Sequence, residues 1–312
     1  MTDLCSAKDK KTKQPEYNMK KTLRLIALIL GLQIADAANA QNVETISLRV
    51  PDFARPLVEN LANEYHKNNS QVEFRFISAK TQDAVNVLSL TTDEQAVNFA
   101  RYAVLPVAVK GSEAAKLTAS RRLNAKKLRS LFFVSDDEDD DQSKAEQKVH
   151  VYTGNSQLSA SRVYAQYLHE EVNAYKGKKI SGDDSYLTAA ISRDPLGITV
   201  NYISNIFDLE SRKPGSQLVL LPLDLDKQGR QVLDAANLDN IMSLLEEQEY
   251  EEIPVGTIGF SYDHTDRVIN DFVSWVLMQG TTQLHRYGLL NLPQNELIAQ
   301  QQRIINRELA QK

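Results

Sequence analysis

The chain has 312 residues, of which 42% are hydrophobic and 25% charged. That composition excludes a collagenous, a disordered or a multi-span membrane protein and leaves material for one large or two medium globular domains. The balance of 36 Lys+Arg against 41 Asp+Glu gives a net charge of -5 and offers no cationic excess for nucleic-acid phosphates, and the single cysteine excludes a disulfide framework or a cysteine-rich zinc site.

Met19-Lys20-Lys21-Thr22 opens an apolar run from Leu23 to Ile34, and Ala38-Asn39-Ala40 follows with small residues two apart. A basic start, about a dozen apolar residues and an Ala-x-Ala site predict a secretory signal peptide, with Met19 as the initiator and 1–18 an upstream extension. The remainder, 41–312, carries 29 basic and 37 acidic residues and no cysteine. The expected product is an exported periplasmic or secreted monomer with no membrane span after cleavage, since the apolar run is too short to cross a bilayer.

Ile46, Leu48 and Val50 alternate with polar residues and predict a strand, which Pro51-Asp52 ends. Leu57, Val58, Leu61 and Tyr65 recur at helical spacing, and Asn68-Asn69-Ser70 closes that helix. Val72, Phe74 and Phe76 predict a second strand, and Thr81 to Leu90, with Val85, Leu88 and Leu90, a second helix. Tyr102 to Val109 reads as a buried strand leaving this first unit, and Leu123 to Phe133 as a helix before the acidic run 135–141. Val149–Tyr152 and Gly197–Tyr202 read as strands around a helix over 159–171; Leu218–Leu223 and Val255–Tyr262 are further apolar runs. Helices are expected at 266–279, 282–287 and 296–310. Alternating strands and helices at this spacing predict an α/β fold with largely parallel sheets.

Four stretches, in this order, resemble the phosphate-binding proteins of phosphate ABC transporters. They are Ile46–Val50 running through Pro51-Asp52 into Arg55-Pro56-Leu57-Val58, Tyr102–Val109 with Leu123–Phe133, Val149–Tyr152 leading to Ser159–Leu168, and Phe272–Leu277 with Gly280 and Tyr287-Gly288. The resemblance implies a type II periplasmic-binding-protein fold. Its two lobes would be 41–104 plus 206–312 and 105–205, each a mainly parallel sheet flanked by helices. It also implies phosphate or a related oxyanion in the interlobe cleft, a transporter permease as partner, and neither an enzyme activity nor a cofactor.

In such a site helix N-termini present unsatisfied N–H groups and partial positive charge to the anion, hydroxyls add donors, and an Arg adds a charged fork. The positions implied here are Ser78, Thr81, Ser159, Ser161 and Arg162. Ser159-Ala160-Ser161 stands where the family has Ser-Gly-Thr, keeping the hydroxyls without the glycine, and Asn155-Ser156 stands where the family places an Arg. Asp52, at the start of the first helix, would repel an anion unless it serves as a cap. These departures favour a second reading, a binding-protein-like interaction module of the cell envelope that has lost its anion.

Other constellations read as structural. The acidic run lacks the glycine and terminal Glu of a calcium loop, and Asp263-His264-Thr265-Asp266 reads as a helix N-cap. His169-Glu170-Glu171 fans around a helix toward solvent, and Trp275 with Phe272 and Val276 reads as core. A hydrolase, the third reading, would require a histidine within hydrogen-bond reach of a cleft serine.

Overall fold

In a computed structural model, residues 43–134, 148–180 and 184–310 are described. The leader expected over 1–40 and the acidic run 135–141 lie outside them. Strands β1 (Glu44–Arg49), β2 (Val72–Phe76), β3 (Val87–Thr91), β4 (Val97–Val109), β5 (His150–Gly154), β6 (Lys178–Ile180), β7 (Gly197–Tyr202), β10 (Leu218–Leu220) and β11 (Val255–Ser261) join in one mixed sheet, while β8 (Phe207–Asp208) and β9 (Lys213–Pro214) make a separate small hairpin. The order across the sheet is β2-β1-β3-β11-β4-β7-β5-β6, with β10 also on β4. The outer strands run parallel, β2-β1-β3 on one side and β7-β5-β6 on the other. The centre is antiparallel, because β11, β7 and β10 all oppose β4.

β4 ties the halves together. Its ladder to β11 covers Val97 to Ala103, and its ladder to β7 runs from Val104 to Ala108. Ten of its thirteen residues, Tyr102 through Ala108 among them, are buried, which explains the near-continuous apolar sequence of a strand covered on both faces. Pro106 fits because its carbonyl accepts from the Leu221 N–H at 2.9 Å on the side where the β11 ladder has ended. Its missing N–H would fall on that same side, in the gap before β10 pairs at Val107.

Helices α1 (Arg55–Asn68), α2 (Glu113–Ala119), α3 (Ala125–Phe132), α4 (Ala160–Tyr167), α5 (Ser185–Ile191), α6 (Ile203–Ile206), α7 (Lys227–Ala235), α8 (Leu238–Glu247), α9 (Arg267–Met278) and α10 (Gln294–Ala310) flank the sheet. Their starts follow capping chemistry. Ser112, Asn124, Asp226, Asn237 and Asp266 each accept from an N–H three residues on, and Asp266 confirms the N-cap expected at 263–266. Trp275 packs as expected, 5.5 Å from Tyr65 and stacked 6.3 Å from Phe272.

Two expectations need correction. Residues 81–90 form no helix: the loop after β2 runs directly into β3, whose Leu88 and Leu90 are buried on one face while Val87, Ser89 and Thr91 alternate. Leu88 and Leu90 satisfy the two-residue period, and the β1 edge supplies backbone partners that a helix would forgo. The helix expected over 159–171 ends at Tyr167, since His169 takes the left-handed conformation (φ 58°) and a 3-10 turn follows at Val172–Ala174. The segment 280–287 is likewise a 3-10 helix.

Candidate functional site

The cleft lies along the carboxyl ends of the parallel strands, where open α/β sheets place ligands. One wall comes from the end of β1, the turn after it, the 77–80 loop and the end of β3; the other comes from Asn155–Leu158, α4 and Asp184. Arg49, Leu90, Gln157 and Leu158 are common to its two adjoining parts.

The start of α4 is built from the inside. β5 ends at Gly154, a short turn follows, and Ser159 caps the helix by accepting from the Arg162 N–H at 3.3 Å. Ser161 turns its hydroxyl back to accept from the Gly154 N–H at 3.1 Å, and its carbonyl accepts from the Tyr175 hydroxyl at 2.8 Å. Ser159 and Ser161 are both fully buried.

The Ala160 N–H donates to the carboxylate of Asp184 at 2.7 Å. Asp184 is only 4% exposed, and its backbone is fixed by the Asn201 amide, which donates to its carbonyl at 2.8 Å. Gly154 leaves room for the carboxyl group, because a Cβ there would stand 2.5 Å from Asp184 Oδ1. The position that a helix N-terminus offers to a bound anion is therefore filled by an anion from the chain itself. Of the residues expected to bind ligand, Ser159 and Ser161 serve this internal arrangement, with both hydroxyls engaged.

The opposite wall carries no long-helix N-terminus of the kind expected at 81. The Ser78 and Thr81 hydroxyls bond each other at 3.1 Å. Ser78 lines the cleft, and Thr81 acts through its carbonyl, which accepts from Arg49 Nη2 at 2.9 Å. Asp52 also lines this part, in the 3-10 turn Asp52–Ala54, where no side chain caps the start.

Arg49 and Arg162 line the same part of the cleft, one from β1 and one from α4. Each has a buried Nε–H with no acceptor among the described residues. A buried charged donor left without an acceptor is costly, and both of these lie on residues that line the cleft. Arg162 was expected on sequence; Arg49 was not, although its place at the carboxyl end of a central parallel strand is a usable signal. Tyr102 stands beside them, its ring edge-on to Phe53 and Tyr202 and its hydroxyl close to Gly256, where any Cβ would collide with it. Burial pushes the Tyr102 hydroxyl up to about 12, so it stays a neutral donor at physiological pH.

Among the described residues no cluster of His, Cys, Asp and Glu could hold a metal ion, and no histidine lines either part of the cleft. No described helix is long and apolar enough to cross a membrane.

No protein-family model and no curated protein sequence matches the chain. Solved structures do. A protein described as a phosphate ABC transporter substrate-binding protein with bound phosphate, from Clostridium perfringens, is 10% identical with a TM-score of 0.50 over 80% of this chain and 100% of its own. An ABC-type phosphate transport receptor from Vibrio cholerae is 11% identical, also with a TM-score of 0.50 over 80% of this chain and 100% of its own. With about one residue in ten shared, the likeness is one of architecture: this chain has the type II periplasmic-binding-protein fold, as phosphate-binding proteins of ABC transporters do.

Proposed function

We propose that this protein is an exported, non-enzymatic solute-binding protein that holds an oxyanion group, phosphate or a related one, between Arg49 and Arg162. The supporting observation is that these two guanidinium groups, from opposite walls of one cleft, each keep a buried donor without an acceptor among the described residues. Binding works by hinge closure. The lobes 41–104 plus 206–312 and 105–205 rotate about their junction in β4, bringing Arg49 and Arg162 onto the ligand together. Ser78 and the Tyr102 hydroxyl add donors, Thr81 holds Arg49 in place, and Ser159 and Ser161 support the α4 wall. The similar solved proteins make an ABC transporter permease the partner to look for, and the Met19–Ala40 leader would deliver the protein to the periplasm.

The test is thermal unfolding of the purified protein with and without millimolar phosphate, with sulfate alongside. A ligand at about a hundred times its dissociation constant stabilises by about 2.7 kcal/mol. The expected result is a rise in midpoint that disappears in Arg49→Gln/Arg162→Gln. No rise with either anion would sink the reading and leave the second one, an envelope interaction module, which the carboxylate at the start of α4 favours.

A further inference from the structure

We propose that the oxyanion group bound in this cleft is carried on an organic body, as in a phosphate monoester with an apolar or aromatic substituent. This rests on the anion-binding reading above and narrows its ligand class.

The compact position for a bare tetrahedral anion, against the first N–H groups of α4, holds the Asp184 carboxylate, and a second anion there would meet like charge. The ligand is thereby directed to the part of the cleft where Arg49 and Arg162 stand. That part has a volume of about 770 Å3. Small-molecule sites run from about 300 to 1,000 Å3. An inorganic phosphate takes the room of a few waters, on the order of 100 Å3 at about 30 Å3 each.

The wall around the two cations also offers an apolar part that a bare ion would leave unused. Leu158, Val163 and Val255 form its apolar part together with the rings of Tyr102 and Tyr167, beside polar groups that include Gln157, Gln166 and the Asp93 carboxylate. Tyr167 is 37% exposed, yet its hydroxyl is anchored to the Tyr250 carbonyl at 2.9 Å, so its ring is a fixed surface at the cleft's edge. Inorganic phosphate gains nothing from the apolar side chains and ring faces of this wall, whereas a hydrocarbon or aromatic group attached to the phosphate is stabilised by them. Two guanidinium groups match the double charge of a phosphate monoester at neutral pH.

Isothermal titration with phenyl phosphate, inorganic phosphate and sulfate tests this on the intact protein and on Tyr167→Ala. Phenyl phosphate is expected to bind about tenfold or more tightly than inorganic phosphate. Removing one aromatic contact should cut that advantage by about three- to tenfold, leaving inorganic phosphate unchanged. Equal affinity for the two phosphates, or an equal loss of both in Tyr167→Ala, would overturn the organic ligand while the anion site stood. Absence of binding by all three to folded protein would overturn the anion reading and this inference with it.

Discussion

Two sets of donors face the same cleft, and the chain treats them differently. At the start of α4 the donors are answered from within: Ala160 by Asp184, Arg162 N–H by Ser159, Gly154 by Ser161. A few residues away, the Nε–H groups of Arg49 and Arg162 have no acceptor among the described residues. Both sets are hydrogen-bond donors that suit a negative partner, and a sequence of hydroxyls before a helix looks the same in either case. What separates a finished structural cap from a binding site is whether the negative charge comes from the chain.

That contrast can be broken most forcefully at its finished end. Asp184→Ala strips a buried helix start of its carboxylate and should cost about 3 kcal/mol, with Asp184→Asn costing about 1 kcal/mol because it keeps an acceptor; urea unfolding reads both. If Asp184→Ala left stability unchanged, the carboxylate would not be holding α4. Gly154→Ala drives a methyl group against Asp184 Oδ1 and should cost about 2 kcal/mol through overpacking, and a neutral outcome would mean that the carboxyl has room to retreat.

The unfinished end should respond only weakly. Arg162→Met removes a buried donor that nothing among the described residues answers, so unfolding without ligand should change by less than about 1 kcal/mol, in either direction. The same substitution should abolish anion-induced stabilisation. A large loss of stability in Arg162→Met without ligand would show that the guanidinium is already structural.

The smallest effect concerns a carboxylate away from the cleft. Asp194 meets the His150 ring at 2.7 Å and the Tyr152 hydroxyl at 2.8 Å. Burial, which pushes its carboxyl up, is outweighed by the hydrogen bonds from His150, the Leu196 N–H and Tyr152, so it titrates below the ordinary carboxylate range. A depressed folded-state value means that its contribution is present at neutral pH and is lost as pH falls through that lowered value. Asp194→Asn should flatten this acid limb in a pH series of unfolding midpoints while leaving anion binding intact; an unaltered limb would remove Asp194 from the account.

Much of the scaffold is legible in the sequence because periodicity survives in long elements. The alternation of Ile46 and Leu48, the helical spacing through α1, the apolar run of β4 and the capped start of α9 each carry their own signal. The loop and strand over 81–91 are not legible in the same way, since Leu88 and Leu90 suit a strand while Val85 and Leu88 suit a helix, and the β1 edge decides between them. α8 does leave a trace, with Asn237 as cap and Leu238, Ile241, Met242 and Leu245 on one buried face. The role of Asp184 could not be read locally, because the N–H it answers is 24 positions earlier in the chain. Arg162 and Ser78 reach the cleft as their positions suggest, whereas Ser159 and Ser161 are drawn inward by partners that only the fold supplies.

The central strand also sets the timetable on which the molecule comes together. β4 is complete at residue 109, but the strands that flank it are β7 at 197–202, β10 at 218–220 and β11 at 255–261. On a growing chain it would wait for some ninety to a hundred and fifty further residues before either side was covered. Pairings of such long range are slow to form and leave an apolar edge open meanwhile. Folding should therefore be a late, nearly all-at-once event, and the segment 97–109 is the one that a chaperone or an unfolded-chain translocase would encounter bare.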